Sequence, residues 1–185
     1  RWIQTDVVRI MRGFELISRE PRIGVTFYRD HGDKWLVKPV PLNHQADVLA
    51  KQLKGASAQG GGDVPEAVLE GMFTLAKKNR WGGPEATKVI VLMGDAPPHE
   101  SDLSRIEELI GLGADKGFVF YAVKIVSRYN YKKFKRPNYD PKLTSFDKIA
   151  ALGGGKSFWI DFRDPKNLRQ RVPGYAVPKP PDAPE

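Results

Sequence analysis

The stretch TKVIVLMGDAPPH, Thr87 to His99, decides the fold. Thr87 to Met93 is the most strand-like run in the chain, short, β-branched and almost continuously apolar. Such a run, closed by a glycine, is the mark of a central strand. It ends at Gly94-Asp95, and Pro97 and Pro98 stiffen the loop beyond. A carboxylate that ends a central strand, with no helix starting directly after it, is poorly explained as a helix cap. Asp95 is therefore a candidate ligand.

Strands and helices alternate on both sides of this stretch. Upstream, Ile3, Val7, Ile10, Phe14 and Ile17 recur at helical spacing until Pro21 stops the pattern. RIGVTFYRD, Arg22 to Asp30, reads as a strand buried on both faces, and DHGD, Asp30 to Asp33, as a turn. Trp35 to Leu42 reads as a second strand, kept near a sheet edge by Pro39 and Pro41, which cannot donate to a ladder. Helices are expected over Ala46 to Leu53 and Pro65 to Lys78. Downstream, the pattern predicts a helix over Ser101 to Leu112, a strand over Phe118 to Val126 and an exposed loop over Arg128 to Pro141. A helix over Thr144 to Leu152, a strand over Lys156 to Asp161 and a helix over Pro165 to Val172 complete it. This alternation is that of an α/β protein with an open, doubly wound, mostly parallel sheet and helices on both faces. Ligands of such sheets bind at the carboxyl ends of the strands, where Asp30 and Asp95 fall.

Composition narrows the function classes. A length of 185 residues suits one domain with a full core. We expect it to occupy residues 1–172, with 173–185 a proline-rich tail or linker. No apolar run is long enough to span a bilayer, and the opening RWIQTDVVRI is too interrupted by charge to be a signal peptide. Arg1 is not a natural start, so the chain is expected to be part of a larger multidomain protein. The absence of cysteine excludes disulfides, thiolate metal sites and cysteine nucleophiles, and leaves the compartment open. A net charge of +8 favours acidic partners.

GGGDVPEAVLEGM, Gly60 to Met72, places Asp63 at the end of a flexible loop and at the mouth of a helix. Asp63 with Glu66 three residues on approximates a capping box, although Pro65 falls one place late. The competing reading makes Asp63 a metal ligand. Two carboxylates brought to about 4 Å repel by roughly 4 kcal/mol at an effective dielectric of about 20, and a cation removes that penalty. Oxygen donors suit Mg2+, Mn2+ or Ca2+.

Taken with IGVTFYRDHGD, these stretches closely resemble the von Willebrand factor type A domain, in the variety with a GGGDxPE loop found in bacterial proteins and some α-kinases. The resemblance covers Arg1 to about Arg171. It implies a Rossmann-like sheet with one antiparallel edge strand and a metal-ion-dependent adhesion site at the carboxyl edge. It implies Asp95 in the third metal loop and Asp63 where the second loop usually carries threonine. It further implies a non-catalytic binding module in which a divalent cation, Mg2+ first, accepts a carboxylate from a protein partner. Asp30, Asp33, Glu66 and His99 are expected at the rim, with a loop histidine such as His99 bonded to backbone. One departure is that Asp-x-Ser-x-Ser, the family's first metal loop, is absent. It would lie just upstream of the first helix, so we expect it to precede Arg1. A degenerate domain with a structural or assembly role stays open for the same reason.

Other signals lead elsewhere. GGGKS, Gly153 to Ser157, has Ala150 where a Walker A loop needs glycine and runs into a strand, so it reads as a tight turn. RYNYKKFKRPNY, Arg128 to Tyr139, mixes basic and aromatic residues, but an acidic protein or surface suits it better than nucleic acid. A metal-dependent hydrolase using Asp63, Asp95 and His99 is the alternative from a different class. Against it, His31 and His44 lie in unrelated stretches, so no second histidine stands at ligand spacing to His99.

Overall fold

The computed structural model describes residues 10–54, 64–126 and 143–161. Residues 10–15 are helical. Strands β1 (Ile23–Tyr28) and β2 (Val37–Asn43) follow, then helices α1 (Ala46–Leu53) and α2 (Val68–Lys78). After β3 (Lys88–Gly94) come α3 (Leu103–Ala114), β4 (Phe118–Val126), α4 (Thr144–Leu152) and β5 (Gly154–Asp161). The result is a mixed α/β protein. β3, β4 and β5 form a parallel sheet in that order, and β1 pairs antiparallel with β2. Thr26 stands opposite Pro39, so both strand prolines lie in β2 of the two-stranded sheet, which has room for missing donors.

Each sheet buries its apolar side chains against helices. Ile23, Val25 and Phe27 alternate along β1 and pack, with Val40, on Leu49 and Leu53 of α1. Ile90 and Leu92 of β3 join Phe120 and Ala122 of β4 in the larger core, closed by Ile106 of α3 and Phe146 of α4. Val89 and Val91 point to the other side of β3 and are exposed. Tyr28 ties the two sheets together. It packs on the larger core, and its hydroxyl donates to the Met93 carbonyl at 3.2 Å. α2 approaches this side chain closely because residue 71 is glycine: a Cβ there would meet the Tyr28 Cβ at 3.0 Å and the ring at 3.1 Å.

Several boundaries differ from the sequence reading, and three of them have a visible reason. α2 begins at Val68 rather than Pro65, because the Glu66 N–H donates to the Pro97 carbonyl at 2.9 Å in a parallel bridge with Pro98. Glu66 therefore does not take the third helical position of a capping box. α3 is preceded by a 3-10 turn over Glu100–Asp102 and starts at Leu103 rather than Ser101. β5 starts at Gly154, two residues earlier than expected, because glycine lets it lie directly on β4. A Cβ on Gly155 would sit 2.1 Å from the Phe120 carbonyl oxygen. Gly154 has φ +72° where α4 passes into the strand, so the turn expected over Gly153 to Ser157 is confined to its first residues and Gly154 to Ser157 are strand.

Asp63, the opening of the first helix, the loop over Arg128 to Pro141, the helix over Pro165 to Val172 and the tail over 173–185 lie outside the described residues. Among the described residues no helix is long and apolar enough to cross a membrane.

Candidate functional site

β1 and β3 end on the same side of the molecule, and their following loops meet. After β1 the chain runs into Arg29-Asp30-His31. The Arg29 N–H donates to the Leu36 carbonyl at 2.9 Å and the Asp33 N–H to the Asp30 carbonyl at 3.3 Å. Gly32 supplies the positive φ, +90°, that this turn requires. Asp33 therefore serves the turn through its backbone. Asp30 is held with its side chain buried, 8% exposed, while His31 stands out in solvent.

After β3 the chain runs through Asp95, Ala96, Pro97 and Pro98 to His99. The bridge between Glu66 and Pro98 holds this loop against the entry to α2. It delivers His99 Nε2 to 2.5 Å from Asp30 Oδ1. A carboxylate removed from water needs such a partner. His99 thus meets a buried carboxylate, where sequence reasoning gave it backbone.

Two further side chains complete the cluster. The His31 and His99 rings lie 5.4 Å apart, centroid to centroid, tilted by 53°. His31 Nε2 is 3.5 Å from Glu70 Oε1 in the first turn of α2. The other Glu70 oxygen, Oε2, is a buried atom with no hydrogen-bond partner among the described residues. Asp30, His31 and His99 each offer one donor atom, all within 4.8 Å of one another. The expectation that no second histidine accompanies His99 is therefore corrected. His31 and His99 are 68 positions apart in the chain, and the fold joins them because both follow strands that end at one edge. His31 and Glu70 were missed because spacing along the chain carries no sign of that meeting. The signal available was that DHGD directly follows a strand.

Asp95 and Glu66 occupy a neighbouring corner, where both carboxylates act on Tyr28. Burial, then the charges of Glu66 and Asp95, push the Tyr28 phenol well above its ordinary range. All three effects disfavour a phenolate, so Tyr28 stays a neutral donor to Met93. Of the residues expected at the site, the described structure joins Asp30 to His99 and brings Asp95 and Glu66 to Tyr28. Asp33 stays in its turn, and Asp63 is outside the described residues.

No family model matches the chain. Over 179 residues it is 21% identical to an Acanthamoeba polyphaga mimivirus protein whose name describes an ariadne-like RING finger protein. That match takes in 91% of this chain and 17% of the relative, so the chain spans under a fifth of the relative's length. The crystal structure of BatB, a conserved hypothetical protein from Bacteroides thetaiotaomicron, is similar with a TM-score of 0.55 at 15% identity. The likeness covers 85% of this chain and 80% of BatB. At that identity it shows the fold alone.

Proposed function

We propose that this chain is a non-catalytic protein-binding module of the von Willebrand factor A type, which engages its partner at the carboxyl edge of the sheet through a divalent cation. The observation that carries the reading is the corner where Asp95, directly after β3, opens the loop to which Glu66 is bonded through the Pro97 carbonyl at 2.9 Å. Two carboxylates that turn toward one ion would otherwise repel, and the cation turns that repulsion into attraction. Their oxygens fit a hard ion such as Mg2+ in donor type. Asp63, the expected further donor, belongs to the same proposal. A cation with one position left open would accept a carboxylate from the partner protein.

The order of the three motif stretches supports this reading, as does a fold shared with BatB. The relative's length supports a module within a larger protein, since the matching stretch is a small part of it. Isothermal titration of Mg2+ into the protein tests the proposal. We expect one saturable site, weakened at least about tenfold by Asp95→Asn, in which the charge is lost and the shape kept. Absence of binding to the unsubstituted protein would leave a purely structural role. Ester or phosphoester turnover abolished by His99→Ala would instead make it a hydrolase.

A further inference from the structure

We propose a second cation site, separate from the Asp95 corner, in which Asp30, His31 and His99 bind a zinc-class divalent ion and Glu70 supplies a fourth donor. The argument begins with donor chemistry. Two of the three convergent donors are imidazole nitrogens and one is a carboxylate oxygen. Mg2+ and Ca2+ take oxygen ligands, whereas Zn2+ takes histidine nitrogen together with carboxylate oxygen, four donors in all. Among divalent ions, imidazole favours zinc and its transition-metal neighbours.

The Asp30–His99 hydrogen bond and the His31–Glu70 pair leave one polar atom of the four side chains unaccounted for. Glu70 Oε2 is buried without a hydrogen-bond partner among the described residues, which is costly for a carboxylate oxygen. The same carboxylate reaches toward His31 with its other oxygen. Three side chains converge here from the β1 turn and the loop after β3, and Glu70, in the first turn of α2, adjoins them through His31. With both imidazoles neutral the cluster carries two negative charges, which one divalent ion balances.

The geometry asks for the donors, now within 4.8 Å of one another, to adjust by up to about 1.5 Å. Donors around a tetrahedral zinc ion at about 2.0–2.1 Å lie roughly 3.3 Å apart. The Asp30–His99 contact, at 2.5 Å, opens by less than about 1 Å to admit it. His31 is exposed and leaves a path from solvent. Protons compete with the ion for these nitrogens, so affinity falls as the solution is acidified. The site stands independently of the Mg2+ reading, because it uses none of the Asp95-corner residues.

The probe is Zn2+ alone, titrated into the full chain in competition with a chromophoric chelator. We expect one tight equivalent that millimolar Mg2+ does not displace. His31→Ala and His99→Ala each weaken it about 100-fold or more, an effect at least that of removing an outer-shell partner. His44→Ala, the third histidine of the chain, and Asp95→Asn leave it within about threefold. If His99→Ala fails to fold, the exposed His31 carries the test, and the visible spectrum of Co2+ in its place reports nitrogen coordination. Failure to bind Zn2+, or binding indifferent to both His31→Ala and His99→Ala, overturns the proposal. Binding lost with Asp95→Asn as well overturns the two-site assignment and leaves a single merged centre. Loss of Mg2+ binding alone fails only the earlier reading.

Discussion

At the scale of single residues, Tyr28 and the histidines show how much side-chain context adds to sequence. Tyr28 sits in a run legible as a strand, yet nothing in RIGVTFYRD tells that its hydroxyl bonds to Met93, 65 positions away. Its ionisation carries a testable consequence. The folded protein holds the phenol proton above the value of about 10 at which the unfolded chain releases it. The stability that depends on this neutral phenol is fully present below pH 10 and declines as pH rises past it. One such proton contributes a slope of about 1.4 kcal/mol per pH unit. Tyr28→Phe removes the hydrogen bond, costing about 1 kcal/mol at pH 8, and also removes the titration. Urea denaturation from pH 8 to pH 11 is expected to show the variant less stable at first, with the gap closing above pH 10. A gap constant with pH would mean the phenol ionises freely in the folded state.

At the scale of elements, the chain was largely readable, because periodicity and breakers act locally. Ala46–Leu53, Phe118–Val126 and Thr144–Leu152 form over the spans their patterns predict. Two of the boundaries that moved are set by tertiary contacts. α2 starts late because Glu66 bonds across to Pro97, and β5 starts early because its glycines lie on Phe120. The same distinction fixes the sign of two chemically identical substitutions. Gly111 lies on the exposed side of α3, and a Cβ there meets nothing within 4 Å. Gly111→Ala therefore stabilises the helix by about 0.5–1 kcal/mol. Gly155→Ala drives a methyl group into the Phe120 backbone, which cannot swing aside as a flexible side chain would. Separating β4 from β5 to admit it costs about 1–3 kcal/mol or more. Denaturation midpoints should move in opposite directions, and a shift of the same sign in both would show that β5 does not pack as described.

At the scale of the whole molecule, the candidate site was legible as a place but not as a set of donors. The rule that ligands gather at the carboxyl ends of strands led to the edge where Asp30 and Asp95 follow β1 and β3. The partnership of Asp30 with His99, and the approach of His31 and Glu70, depend on how two separately paired sheets lie against each other. That arrangement also gives a cation at Asp30, His31 and His99 a mechanical role. Asp30 and His31 belong to the turn of the antiparallel pair, whereas His99 follows β3 of the parallel sheet. An ion bound to all three therefore fastens one sheet to the other at their carboxyl ends, beside the link that Tyr28 makes to Met93. Because the unfolded chain does not assemble these donors, binding adds to folding stability by mass action. Zn2+ at 100 times its dissociation constant is worth about 2.7 kcal/mol. For a chain of this size that corresponds to roughly 5–11 °C in melting temperature. Thermal melts with and without Zn2+ should show this rise in the unsubstituted protein, reversal by a chelator, and its loss in His31→Ala. A rise that survives in His31→Ala would place the stabilising ion elsewhere, and no rise at all would mean that the two sheets are not fastened through this edge.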